Sequence, residues 1–420
     1  MLRTSIIVGC FLISAGLLGC ENNSVQNKPV EFAAACDFSG GTAVDGRCVC
    51  NEVTCDEGIL CHTTTFECAN KVSGEPQNCE PQQEKNCETK PEPISGEAAL
   101  SLWTANSVPK KALIDYIETI SKPGDDFIPV KDRIAVFDLD GTLVCETDPN
   151  YLDYNVYVQR VLEDPDYKDR ATEQQIAVAN EILEVNKTGV VPSGLDVRHQ
   201  VAYMEAFGGM TLAEYDKYIR DFLDQPAPGY NGMKRGEAFY KPMLEVIKYL
   251  QAYDFTVYIV SGTDRLQVRT AIAGMIDIPE RQVIGSDGTI VASGQEKTDD
   301  LNADNLSYVY KPDDTLMRGG AFIVKNLKMN KVAVIAQEIG RQPVLSFGNS
   351  SGDASMAEYV ISNNPYKSLA FMLLADDLVR ENGNQKKADS MKASCEKNGW
   401  IAVSMKDDWT TIYGDGVTRK

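Results

Sequence analysis

The sequence predicts an α/β protein whose main domain is an open, doubly wound parallel sheet, and three observations predict it. Six short, β-rich apolar runs recur between residues 133 and 405. Apolar residues between the runs return at three- and four-residue spacing, the period of a helix with one buried face. Every notable polar cluster falls at the end of a run, where open α/β sheets carry their sites.

The runs are RIAVFDLD (133–140), FTVYIVSG (255–262), RQVIG (281–285), PVLSFGN (343–349), LAFMLL (369–374) and WIAVSM (400–405). Nearly continuous apolar runs of this length suit strands buried on both faces of a parallel sheet. Phe239, Met243, Leu244, Ile247 and Leu250 predict a helix before the second run. Val332, Ile335, Ala336 and Ile339 predict another before the fourth. Between Asp138 and Ser261 lie far more residues than one crossover needs. The excess, about 145–233, contains YVQRVL, TEQQIAVANEILEV and LAEYDKYIRDFL and reads as a mainly helical insertion.

The N-terminal part is different in kind. Residues 1–20 combine Arg3 with an apolar run from Ile6 to Leu18, too short for a comfortable membrane span but suited to export. The run ends in Leu17-Leu18-Gly19-Cys20, which resembles the lipobox of bacterial lipoproteins. That resemblance implies cleavage before Cys20, a lipid on its sulfur and attachment to a membrane. A simple secretory signal and an uncleaved anchor are the alternatives, and all three export the protein. Polar linkers are expected at 21–35 and 91–100. Between them, residues 36–90 hold Cys36, Cys48, Cys50, Cys55, Cys61, Cys68, Cys79 and Cys87, eight of the chain's twelve cysteines. Few large apolar residues accompany them, so disulfides rather than a core would constrain this module. The pairing is not readable from sequence. A zinc cluster is the alternative, and a surface partner of the module has no sequence signature. The main domain is expected over 101–420.

Composition excludes several function classes. With 41 basic and 61 acidic residues the net charge is −20, which argues against nucleic acid as a partner. The two histidines, His62 and His199, rule out multi-histidine zinc sites and paired catalytic histidines. A metal here must be held by oxygen, which favours Mg²⁺ or Ca²⁺.

The first run ends in FDLDGT, placing Asp138 and Asp140 two residues apart, with Gly141 permitting a tight exit. IAVFDLDGTLV resembles the first motif of the haloacid dehalogenase-like hydrolases. Val260-Ser261-Gly262-Thr263 is similar to their second motif, Lys331 to the lysine of the third, and FGNSSGDASM to the acidic fourth. A further DGT at 287–289 lacks the preceding aspartate and reads as a hairpin turn.

The resemblance implies a Mg²⁺-dependent phosphatase of the phosphoserine-phosphatase-like branch, acting on small phosphomonoesters. Asp138 would be the nucleophile, forming an aspartyl-phosphate, and Asp140 the general acid and base. Thr142, Ser261, Gly262 and Lys331 would hold and neutralise phosphate oxygens. Asp138, Asp140, Asn349 and Asp353 would hold the metal. The family usually carries an aspartate where Asn349 stands, so either weaker metal binding or a shift of the ligand to Asp353 is implied. The insertion would be a cap that excludes water and large substrates.

Asp196, Arg198, His199, Tyr203 and Met204 are candidate substrate contacts from the insertion, with Arg198 able to meet a carboxylate. Asp376, Asp377 and Lys406 are candidates from the last strands. Cys145 and Cys395 could pair in an oxidising compartment. The second reading is a surface binding protein whose cysteine-rich module recognises a partner, with a weak or silent hydrolase domain.

Overall fold

The computed structural model describes residues 42–44, 47–50, 53–54, 95–146, 151–295 and 305–420. The expected signal peptide, Cys20, the linker at 21–35 and the disulfide pairing of the cysteine-rich module lie outside them. The chain divides into two compact units, Met1–Pro91 and Glu92–Lys420. In the first, β1 (Thr42–Val44), β2 (Arg47–Cys50) and β3 (Val53–Thr54) form an antiparallel meander with Thr42 opposite Val49 and Val49 opposite Thr54. Among the described residues no helix is long and apolar enough to cross a membrane.

The second unit begins earlier than the sequence suggests. Gly96–Ala99 (α1), expected as linker, is a helical turn capped by Ser95. Gly96 lies so close to Ile114 and the Tyr249 hydroxyl that a Cβ would collide with both. The absent side chain, invisible as a helix signal, is what lets this turn dock.

All six expected runs become strands of one seven-stranded sheet. They are β4 (Ile134–Phe137), β6 (Thr256–Asp264), β7 (Val283–Ala292), β9 (Leu345–Gly348), β10 (Leu369–Leu374) and β11 (Ile401–Ser404), and the order is β11-β10-β9-β4-β6-β7-β8. All pairs are parallel except β7 with β8 (Leu316–Val324), which is antiparallel. The two-stranded pair β5 (Tyr230–Asn231) and β12 (Thr418–Arg419) lies outside this sheet.

The hairpin-turn reading of Asp287-Gly288-Thr289 is corrected. These residues lie inside β7, and the Ser286 hydroxyl donates to the Gly262 carbonyl and accepts from Asn326 N–H. A Cβ on Gly288 would lie 2.5 Å from the Met204 sulfur, which would have to shift to make room. The partner strand β8 went unread because LMRGGAFIV is interrupted by Arg318, Gly319 and Gly320.

Alternation assigns the two faces of the sheet. On one, Phe137, Ile259, Phe347, Phe371 and Val403 pack against α2 (Val108–Ser121), α7 (Lys241–Ala252) and α8 (Arg265–Ile272). Phe137, Phe347 and Phe371 share a register across three strands and stack at 4.3 and 4.9 Å between ring centroids. On the other, Val136, Val260, Ile284, Ala370 and Met372 meet α9 (Met329–Val334), α10 (Ala354–Ile361) and α11 (Gln385–Asn398).

Among the described residues four helices lie within 145–233: α3 (Leu152–Val158), α4 (Glu173–Thr188), α5 (Leu195–Ala206) and α6 (Leu212–Leu223). Capping boxes Thr172/Gln175 and Thr211/Glu214 start α4 and α6. The insertion has its own core, including Tyr157, Ile182, Phe207, Tyr215 and Phe222.

The order of the strands fixes where a site can form. From β4 the chain runs outward through β6, β7 and β8, then returns to the other side of β4 for β9, β10 and β11. The direction reverses between β4 and β9, and a crevice opens beyond the carboxyl ends at such a switch point.

Candidate active site

The turn after β4 is set by hydrogen bonding. Asp138 N–H donates to the Phe347 carbonyl at 2.9 Å, the last rung toward β9. The Leu139 carbonyl then accepts from the N–H groups of Thr142, Leu143 and Val144 at 2.8–3.1 Å. Gly141 sits at φ +78°, and a Cβ there would strike the Asn349 side chain. Both the positive φ and the close approach of Asn349 therefore require glycine. Asp138 and Asp140 are left buried at the crevice floor, 6% and 7% exposed.

Lys331, at the start of α9, is wholly buried and donates to Asp138 Oδ1 at 2.5 Å and Asp353 Oδ1 at 2.7 Å. The other Asp353 oxygen, Oδ2, accepts from the N–H groups of Asn349 and Ser350 and from the Ser350 hydroxyl, at 3.0–3.1 Å. Asp353 is thus committed on both oxygens to holding Lys331 and the loop after β9. Both Asp353 and Asn349 line the crevice, Asn349 directly over Gly141.

Ser261 is not where the motif resemblance implies. Its strand β6 continues to Asp264, so Ser261 is an interior residue, fully buried, whose hydroxyl accepts from Thr263 N–H at 3.0 Å. Gly262 and Thr263 line the crevice. The Thr263 hydroxyl donates to Asp140 Oδ2 at 2.7 Å. Thr142, also expected at the phosphate, is fully buried with its hydroxyl unpaired, outside the crevice lining.

The crevice has a volume of about 760 Å³. Of the candidates from the insertion, only Asp196 lines it, accepting from the Tyr154 hydroxyl at 3.3 Å. Arg198 points away, bonded to Glu181 and the Ser193 carbonyl. His199 is fully buried among Tyr154, Tyr157 and Tyr203, and burial pushes its pKa well below the usual range, so it is neutral. Tyr203 bonds to Tyr215 and Gln267 in the interior, and Met204 packs on Arg318. Asp376 accepts from the Ser404 hydroxyl and from Lys406 N–H, and Asp377 accepts from Arg380. Both are structural, and the Lys406 side chain is not part of the crevice lining. Cys145 and Cys395 are both buried and do not pair with each other as a disulfide. Cys145 donates to Glu381, while Cys395 packs with Met372 and Trp400.

Sequence reading missed Thr263, Glu146, Tyr151, Asp153, Tyr154 and Lys325, all on the lining. Thr263 was legible in principle, two residues along the strand from Ser261 and hence on the same face. Lys325 follows the unread strand β8 and donates to Gln200 Oε1 at 2.9 Å. Lys328, three residues on, holds φ +54°, a strained conformation for a long side chain, with its N–H bonded to the Gly352 carbonyl.

The electrostatics are unbalanced. Burial, then Asp353, push Asp138 upward, against the pull of Lys331. Burial, then Asp153, raise Asp140 to about 7, against the Thr263 hydrogen bond. Burial works against the Lys331 ammonium, but Asp138 and Asp353 more than offset it and raise its pKa. One buried cation thus answers three buried carboxylates, and Asp140 Oδ1 has no hydrogen-bond partner. Among the described residues no group of three or more His, Cys, Asp or Glu side chains is arranged to hold a metal ion by itself. A hard cation would need amide, main-chain and water oxygens beside one or two carboxylates, which is the habit of Mg²⁺. The all-oxygen donors, the orphan oxygen and the excess negative charge fit such an ion.

No protein-family model and no curated protein matches the chain. Solved structures do resemble it over most of their length. A conserved protein of unknown function from Anaerococcus prevotii is 14% identical, covering 70% of this chain and 91% of that one at a TM-score of 0.42. Cytosolic 5′-nucleotidase IIIB bound to cytidine is 12% identical, covering 71% and 86% at 0.43. A substrate-bound phosphoserine phosphatase is 14% identical, covering 65% and 92% at 0.32.

Proposed function

We propose that the chain is a divalent-cation-dependent phosphatase of the haloacid dehalogenase-like class, hydrolysing small phosphomonoesters through an aspartyl-phosphate on Asp138. One observation carries the reading. Asp138 and Asp140 leave one tight turn at the switch point, with Lys331 and Asp353 behind the first and the Thr263 hydroxyl on the second.

With Oδ1 held by Lys331, Asp138 attacks phosphorus through its other oxygen, and the ester P–O bond breaks. Asp140 gives its proton to the departing alcohol oxygen. In the second step Asp140, now a carboxylate, takes a proton from a water molecule whose oxygen attacks phosphorus. The Asp138–phosphorus bond breaks and phosphate leaves. A carboxyl raised to about 7 suits both halves of this cycle at neutral pH. Lys331 orients the nucleophile and adds fixed positive charge beside the transferring oxygens. Asp138, the Asp140 main chain and Asn349 would hold Mg²⁺, with Asp353 organising the loop that presents Asn349. The cation, when bound, would screen nucleophile from phosphoryl charge.

Phosphate release from p-nitrophenyl phosphate with Mg²⁺, and after EDTA, tests the reading. Activity present with Mg²⁺ and abolished by EDTA is the expected result; none in either condition, across pH 5.5–8 and several small esters, sinks it. The substrate would meet the enzyme outside the cytoplasm, anchored through Cys20. Incorporation of labelled fatty acid should be lost in Cys20→Ala, and persistent labelling would contradict that anchor.

A further inference from the structure

The two catalytic acids face different surroundings. Asp138 is faced by Asp353 and Lys331, whereas the charges on Asp140 are Asp153, Glu146 and Lys325. If Asp138 attacks and Asp140 protonates the leaving oxygen, the leaving group lies on the Asp140 side. There the lining is Glu146, Tyr151, Asp153, Tyr154 and Asp196. This wall is three carboxylates and two tyrosines. The Tyr151 and Tyr154 rings meet edge to face at 5.4 Å, and the Tyr154 hydroxyl donates to Asp196.

Lys325, Lys328, Lys386 and Lys387 also line the crevice, but among the described residues no lysine or arginine pairs with Asp196. Among the described residues, Lys325 lies 3.7 Å from Asp153 and Lys387 lies 4.0 Å from Glu146, and neither pair is at hydrogen-bond distance. Lys325 is bonded instead to Gln200, and Lys387 is largely exposed. Beside the wall, the nine-tenths-buried Asp140 offers an oxygen with no partner. Carboxylates combined with aromatic faces attract an organic cation by charge and by cation–π contact, and they repel an anionic leaving group.

We propose that the substrates are phosphomonoesters of amino alcohols, whose positively charged nitrogen is read by Tyr151, Tyr154 and Asp196. The inference rests on the phosphatase reading, because that reading places the leaving group beside Asp140. A primary ammonium would be held by hydrogen bonds to Asp196 or Asp153, a quaternary one by the tyrosine faces.

Calorimetric titration of the full-length Asp138→Asn protein with Mg²⁺ separates these cases without turnover. The probes are phosphoethanolamine, phosphocholine, ethyl phosphate and 2-phosphoglycolate. At least one cationic ester should bind about tenfold tighter than neutral ethyl phosphate, and anionic phosphoglycolate more weakly still. Preference for phosphoethanolamine assigns the selection to the carboxylates, and preference for phosphocholine assigns it to the rings. The cationic-to-neutral ratio should fall several-fold in Asp196→Asn and in Tyr151→Leu, the latter at a partly exposed position that tolerates truncation. Equal binding of ethyl phosphate and both cationic esters overturns the inference, as does a preference that survives both substitutions. Should wild-type protein fail to hydrolyse p-nitrophenyl phosphate, the phosphatase reading falls while the titration still reports the selectivity of the wall.

Discussion

Two buried ionic clusters flank strand β6, and they are built on opposite plans. In the first, Arg318 grips Asp264 with both guanidinium nitrogens at 3.1 Å, while Tyr215 and Gln267 N–H donate to the same carboxylate at 3.0 Å. The Arg318 guanidinium also lies 4.1 Å from the centre of the Tyr215 ring. One cation meets one anion, and both carboxylate oxygens have donors. The cluster ties α6 and β8 to the start of α8 and has no place on the crevice. In the second cluster Lys331 faces Asp138 and Asp353, with Asp140 close by and one of its oxygens orphaned. Balanced charge marks a joint in the structure, and unbalanced charge at a crevice marks chemistry.

Removing the cation of the closed cluster should have the largest effect on folding. Arg318→Met leaves Asp264 buried beside tyrosines without its ion pair, a loss of about 3–5 kcal/mol. Chemical denaturation measures it, and the protein that remains folded should keep its activity. Loss of activity at unchanged stability would erase the distinction between the clusters.

A smaller effect is expected at Thr263. Thr263→Val removes the one side-chain hydrogen bond donated to Asp140 among the described residues, worth about 1–2 kcal/mol in the transition state, so kcat should fall about tenfold. Ser261→Ala, one turn of the pleat deeper, should change kcat less. The reverse ranking would return the phosphate-binding role to Ser261 and contradict its buried placement.

The smallest effect concerns His199, which is fully buried with neither ring nitrogen hydrogen-bonded and Nδ1 3.8 Å from Asp153. Because burial depresses its pKa, the folded chain stays unprotonated there while the unfolded chain takes up a proton below about pH 6.5. Stability should therefore be full above pH 6.5 and decline as pH falls below it, by at most about 1.4 kcal/mol per pH unit from this residue. Melting curves of wild type and His199→Phe, compared between pH 5 and 7.5, check it. Identical pH slopes would mean that the ring is charged in the folded state.

The sheet was readable because its strands are buried on both faces, leaving unbroken apolar runs with polar ends. β8 was not, since an edge strand carrying Arg318 and two glycines has no such run. The turn containing Asp138, Asp140 and Gly141 was legible from local chemistry, whereas Lys331 was located by the family resemblance alone and its pairing with Asp138 and Asp353 was not read. Long-range facts were not legible. Whether Ser261 or Thr263 meets the crevice depends on where β6 stops, and the Tyr151–Tyr154–Asp196 wall depends on how α3 and α5 pack. Arg198 has the right charge for a substrate contact, but the helix turns it toward Glu181 instead.

Asp138 as the nucleophile of a phosphatase is the assignment on which the other roles depend. It is tested most directly by phosphate release from p-nitrophenyl phosphate at saturating Mg²⁺, wild type beside Asp138→Asn, with circular dichroism of both. Wild type should show Mg²⁺-dependent turnover, and the folded variant should lose about a thousandfold or more. Turnover that survives the substitution would contradict it.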